Sequence, residues 1–212
     1  MSDISCTSDL RYDAVVIGVS AGGLKALRTI LPALSPYFPV PVLVVQHLSP
    51  QADDFLARFL NEISQVKVKE ADEKEPLLPG TVYLAPPNYH LLVETDKTLS
   101  LSVEGRVNYA RPSIDVLFLT ASEAFGARLI GLVLTGANDD GSRGLKRIKQ
   151  RGGLALVQDP ATADADHMPR AAITAANPDA IIPLQEIAAF LECAVYGIEH
   201  CPGKQQSPPD PA

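Results

Sequence analysis

The chain predicts a doubly wound α/β fold: a mostly parallel sheet with helices on both faces and a β-hairpin insertion. Three observations carry that prediction. Continuous apolar runs rich in β-branched residues recur at residues 14–19, 42–45 and 129–134, as strands buried on both faces require. Stretches with apolar residues at helical spacing alternate with them. The runs close in turns bearing Ser20, His47 and the Asp139-Asp140 pair, and in such sheets sites gather at the carboxyl ends of the strands.

The elements follow in order. After the first strand, residues 25–34 carry Leu27, Ile30, Leu31 and Leu34 at helical spacing, with Leu24 just ahead of them. The strand at 42–45 closes at Gln46-His47, and a helix over 53–63 places Phe55, Leu56, Phe59, Leu60 and Ile63 on one face. Residues 66–107 differ: short apolar runs at 82–85 and 91–94 and the period-2 stretch 99–103 predict a β-rich insertion of hairpins at a sheet edge. A helix is expected at 113–125, with Ser113 as its N-cap. The strand at 129–134 is followed by a helix at 142–151, a strand at 154–157 and a short helix at 169–176. A strand at 180–182 and a helix at 184–196 complete the pattern. Residues 12–197 read as one domain, preceded by a disordered segment 1–11 and followed by a flexible Pro-rich tail 198–212.

Composition excludes several classes. A chain of 212 residues can bury a sizeable core, and no apolar run of about 18 residues is present, so no membrane insertion is expected. No basic segment precedes an apolar core at the N-terminus, so no signal peptide is expected. The formal net charge of −7 argues against nucleic-acid binding. Cys6, Cys193 and Cys201 are odd in number and lack metal-ligand spacing, which predicts free thiols in the cytoplasm and no metal or cofactor.

Gly18-Val-Ser20-Ala-Gly22 is a G-x-S-x-G element at a strand-to-helix turn. Such a turn lifts the serine off the sheet and aims backbone N–H groups at a developing oxyanion. A hydroxyl, an imidazole and a carboxylate at neighbouring strand ends supply nucleophile, base and orienting anion for acyl transfer. The chain order Ser20, His47, then the Asp139-Asp140 pair is not that of an α/β-hydrolase, whose nucleophile also follows a later strand, so the order argues against that fold. A glycine-rich turn also binds phosphate, but the chain lacks G-x-G-x-x-G after its first strand and a P-loop Lys-Ser/Thr pair. A nucleotide-binding domain is therefore the weaker alternative.

Six ordered blocks resemble the catalytic domain of chemotaxis protein-glutamate methylesterases, the CheB type. They are Gly18-Val-Ser-Ala-Gly-Gly23, Val45-Gln-His-Leu48, Leu84-Ala-Pro86 with His90, Arg111-Pro-Ser-Ile-Asp-Val-Leu-Phe118, Leu134-Thr-Gly-Ala-Asn-Asp-Asp-Gly141 and Met168-Pro-Arg170. The resemblance implies a Ser20–His47–Asp140 triad, with Asp139 as the reserve acid. It implies hydrolysis of γ-glutamyl methyl esters on chemoreceptors, releasing methanol, together with deamidation of receptor glutamines. Ala21, Gly22 and Ala137 are the expected oxyanion-side positions, and His90, Arg111 and Arg170 the expected substrate contacts.

The pattern departs from the family at Ala21 and Ala137, where many members carry Thr and Met, so backbone donors must suffice there. Only about a dozen residues precede the first strand, which suggests either a stand-alone form without a receiver domain, controlled by separate receiver or signalling proteins, or an excised catalytic domain. A catalytically silent interaction module of the same fold is the alternative from another class.

Overall fold

A computed structural model describes residues 10–198; the expectations for 1–9 and 199–212, with Cys6 and Cys201, lie outside the described residues. Leu10 packs against the core, and the Arg11 N–H donates to the Val195 carbonyl at 2.9 Å, so these two residues join the domain.

Seven strands form one sheet: β1 (Ala14–Val19), β2 (Val42–Gln46), β3 (Lys67–Glu70), β4 (Thr81–Leu84), β7 (Leu129–Val133), β8 (Leu154–Gln158) and β9 (Ala180–Ile182). Their order is β3-β4-β2-β1-β7-β8-β9, and every pairing is parallel. Alternate side chains serve two cores, because successive residues of a strand point to opposite faces. Val15, Ile17 and Val19 face α1 (Gly23–Ile30), α2 (Phe55–Ile63) and α6 (Ile187–Val195). Ala14 and Val16 face α3 (Ile114–Phe125), α4 (Ser142–Gln150) and α5 (His167–Ala176). The six residues of β1 are all buried, which explains its unbroken apolar sequence. Among the described residues no helix is long and apolar enough to cross a membrane.

The segment 66–107 is where sequence and structure part. Its first two strands are not hairpin arms. They pair in parallel with each other, and β4 also pairs with β2, so both extend the main sheet. Only β5 (His90–Val93) and β6 (Leu99–Ser102) form an antiparallel hairpin. That hairpin lies on α3, not at the sheet edge: Leu91, Val93 and Leu99 share a core with Ile114, Leu117, Phe118 and Ala121. Parallel neighbours are usually joined through a helix, whereas β3 and β4 are joined by the polar loop 71–80, so periodicity could not reveal their pairing.

Helix α3 passes very close to β1. A Cβ built on Gly18 would lie 2.2 Å from Ile114 Cγ2, well inside contact distance. Gly18→Ala is expected to push the first turn of α3 away from the sheet and to lower unfolding free energy by about 1–3 kcal/mol, the usual cost of overpacking a core. Urea denaturation followed by far-UV circular dichroism measures this, and an unchanged midpoint would mean that the gap opens freely.

Candidate active site

The chain's progression reverses beside β1, which has β2 on one side and β7 on the other. Residues just past the carboxyl ends of these three central strands therefore converge. Ser20 follows β1, His47 follows β2, and Asp140 lies in the loop after β7.

Ser20 sits on a sharp turn. The Gly23 N–H donates to the Ser20 carbonyl at 2.9 Å, and Gly22 caps α1 at φ +79°, in the left-handed region that favours glycine. Thr135 clamps this turn from the neighbouring strand end: its hydroxyl donates to the Ala21 carbonyl at 2.8 Å and accepts the Ala165 N–H at 2.9 Å. The Gln46 amide donates to the carbonyls of Ser20, at 3.0 Å, and His47, at 2.9 Å, tying the two strand ends together.

His47 bridges the other two residues. Nδ1 lies 3.2 Å from Ser20 Oγ and Nε2 lies 2.9 Å from Asp140 Oδ2. An ionised carboxylate only accepts, so Nε2 carries the proton and Nδ1 is left with its lone pair toward the serine hydroxyl. An imidazole held in that tautomer beside a hydroxyl is equipped to take its proton.

The Asp140 side chain is fully buried. Oδ2 accepts the Ile114 N–H at 2.7 Å as well as His47. Oδ1 accepts the Ser113 hydroxyl at 2.9 Å, the Asp115 N–H at 3.1 Å and Asn108 Nδ2 at 3.2 Å. Burial pushes its proton affinity up, but the donors from His47, Ile114 and Asp115 outweigh it and hold the carboxyl below the ordinary range. Asp140 thus takes the first free amides of α3, where a helix favours negative charge. Ser113 occupies the N-cap position, as expected, but its hydroxyl is spent on Asp140 and makes no cap bond. Asp139, the reserve, is exposed, makes no hydrogen bond or ion pair with His47, and lines a different depression with Arg143 and Arg170.

Three further residues were not distinguished by the sequence pattern. Buried Asp115 accepts the N–H groups of Gly141, at 3.1 Å, and Gly144, at 2.7 Å, fixing the loop that carries Asp140. Burial raises its proton affinity, and the charge of Asp140 adds to the rise. Asn108 spans the two carboxylates, its Nδ2 lying 3.2 Å from Asp115 Oδ2 as well as from Asp140 Oδ1. Gln46 is the third. A carboxylate among Ile114, Leu117 and Phe118 on an apolar helix face was the one available signal for Asp115.

The expected substrate contacts divide. His90 is buried with both ring nitrogens occupied: Nδ1 accepts the Ser113 N–H and Nε2 donates to the Gly105 carbonyl, each at 3.1 Å. It supports the start of α3 and does not face the cleft. The Arg170 side chain, 67% exposed, pairs with Asp166 at 2.7 Å. Arg111 donates to Asn88 Oδ1 and to the carbonyls of Val103 and Glu104, and also lines the cleft at His47. Ala21 and Gly22 flank Ser20 at the start of α1, and Ala137 lies exposed in the loop before Asp140. Two recesses meet at the site, sharing Leu48: one of about 230 Å³ at His47 and one of about 540 Å³ at Ser20.

Comparison with known proteins identifies the family and the fold. The family model described as CheB methylesterase matches residues 15–191. A Leptospira interrogans protein named "Putative protein-glutamate methylesterase/protein-glutamine glutaminase" is 55% identical over 179 residues, covering 84% of this chain and 93% of that protein. "Protein-glutamate methylesterase/protein-glutamine glutaminase 1" of Carboxydothermus hydrogenoformans is 42% identical, and the match spans 82% of this chain but 53% of that protein. The crystal structure of the Thermotoga maritima CheB methylesterase catalytic domain superposes with a TM-score of 0.83 at 34% identity, covering 85% of this chain and 97% of that one.

Proposed function

Because the chain belongs to the CheB methylesterase family, we propose that it hydrolyses γ-glutamyl methyl esters on a chemoreceptor, with Ser20 as nucleophile, His47 as general base and acid, and Asp140 as the orienting anion. The observation that carries this reading is His47 held between Ser20 Oγ, at 3.2 Å, and Asp140, at 2.9 Å.

Ser20 Oγ attacks the γ-carbonyl carbon as His47 Nδ1 removes its proton. The negative charge moves to the carbonyl oxygen, where the backbone N–H groups of Ala21 and Gly22 at the start of α1, and of Ala137 across the cleft, are the available donors. One such donor is worth about 3–4 kcal/mol of transition-state stabilisation. Asp140 stabilises the imidazolium through Nε2–H. His47 then hands its proton to the departing methoxide, which leaves as methanol. Water, deprotonated by His47, hydrolyses the glutamyl–Ser20 ester and restores the hydroxyl. With ammonia as the leaving group, the same steps convert glutamine to glutamate, the second activity in the relatives' names. The reading carries with it a cytoplasmic reaction on a protein partner.

Methanol release from a methylated chemoreceptor fragment tests the proposal. Wild-type protein is expected to release methanol in step with the loss of methyl label from the receptor, and release no faster than without enzyme would refute the reading.

A further inference from the structure

We propose that the cleft beside His47 contains a carboxylate-binding subsite, formed by Arg106, Tyr109 and Arg111, which recognises an acidic residue flanking the ester on the protein substrate. The inference rests on the methylesterase reading above and extends it to substrate choice.

Charge is the first support. Arg106 and Arg111 both line the cleft and no carboxylate among the described residues does, although the whole chain carries a formal charge of −7. Arg111 spends its donors on neutral oxygens, those of Asn88, Val103 and Glu104, so its positive charge is held in place but not cancelled. Arg106 is exposed and makes no hydrogen bond or ion pair among the described residues. Arg170 differs, being paired with Asp166. An unpaired guanidinium on a cleft rim offers the fork geometry that a carboxylate matches with two hydrogen bonds.

Backbone conformation is the second support. Asn108 and Tyr109 adopt φ +50° and +62° in succession, inside a tight turn closed by hydrogen bonds between Val107 and Ala110. Side chains other than glycine rarely adopt this conformation. The turn nevertheless presents Tyr109 at 96% exposure on the rim of the cleft. Its base is anchored, because Asn108 donates to both Asp115 and Asp140. A large aromatic ring mounted in solvent on a turn tied to the triad acid is suited to cover the aliphatic stem of a bound acidic side chain. Arg106 meanwhile takes its carboxylate. Rim charges act mainly on encounter and specificity, so the effect belongs in KM.

The test compares wild type, Arg106→Glu and Arg106→Lys on a methylated receptor fragment and on the neutral ester p-nitrophenyl acetate. Arg106→Glu is expected to raise the ratio of the receptor KM to the small-ester KM about tenfold. Arg106→Lys is expected to restore most of that ratio, and Tyr109→Ala to raise it several-fold. A receptor fragment whose acidic residues next to the methylated glutamate are changed to Ala separates a flanking side chain from any other source of carboxylate. It should bind wild type more weakly yet cost Arg106→Glu nothing further. An unchanged KM ratio in Arg106→Glu, with wild type active, overturns the subsite alone. No methanol release by wild type overturns the esterase reading and this inference with it.

Discussion

Ser20→Ala is expected to lower kcat for methanol release by on the order of 10⁵-fold or more, the scale seen when a triad nucleophile is removed. Stability should hardly move. Among the described residues the one side-chain hydrogen bond of Ser20 is its 3.2 Å contact with His47, and residue 20 is only half-buried. Losing one long, partly solvated hydrogen bond costs about 0.5–1.5 kcal/mol at most. The clamps on the turn are backbone bonds or come from Gln46 and Thr135, so they survive the change. The variant should therefore remain folded by circular dichroism, bind methylated receptor and release no methanol. A loss of only tenfold would leave Ser20 a positioning residue, and full activity would remove it from the reaction.

Asp140→Asn is expected to lower kcat by about 10⁴-fold through the tautomer of the base. An amide nitrogen facing His47 Nε2 is a donor, so the ring would turn its lone pair that way and present Nδ1–H to Ser20. The hydroxyl would then have nowhere to send its proton. Unlike the serine variant, this one should also be less stable, by roughly 2–4 kcal/mol. Asp140 accepts Ile114 N–H, Asp115 N–H, the Ser113 hydroxyl and Asn108, all in a buried setting, and the exchange opposes donor to donor.

The pH dependence carries a definite sign. The folded-state affinity of Asp140 for a proton is lowered, so its contribution is fully present above the unfolded carboxylate value of about 4. It is lost as pH falls through the lower folded value. The stability gap between wild type and Asp140→Asn should narrow as pH falls below about 4. Asp115 acts in the opposite sense, its raised affinity making its charge a cost at neutral pH, and that cost is smaller in Asp140→Asn, where the charge of Asp140 is gone. Urea titrations at several pH values measure the gap. A gap that failed to narrow below about pH 4 would mean that the carboxylate is not held ionised by its donors.

The central strands and their adjoining helices were legible because β1, β2 and β7 are buried on both faces and their residues are uniformly apolar. The positions of Ser20, His47 and Asp140 were legible as chemistry at strand ends. What separated Asp140 from Asp139 in the sequence was only the glycine that follows; in space it is burial against the start of α3. His90 read as a substrate contact, because its burial depends on the hairpin folding onto α3. Asn108 and Gln46 resemble ordinary polar residues until their partners arrive from strand ends and loops far along the chain. Arg170 could be read as a free cation because its pairing with Asp166 depends on how the loop enters α5.

The carboxylate that caps α3 is contributed by a loop that follows the helix in the chain. During synthesis the serine and the imidazole emerge early and close together, whereas the anion follows β7, the strand that completes the crevice. Until β7 takes its place beside β1, α3 lacks its cap, and the imidazole lacks the anion that sets its tautomer. On the proposed reading, the full Ser20–His47–Asp140 constellation therefore forms only once the last central strand is in place.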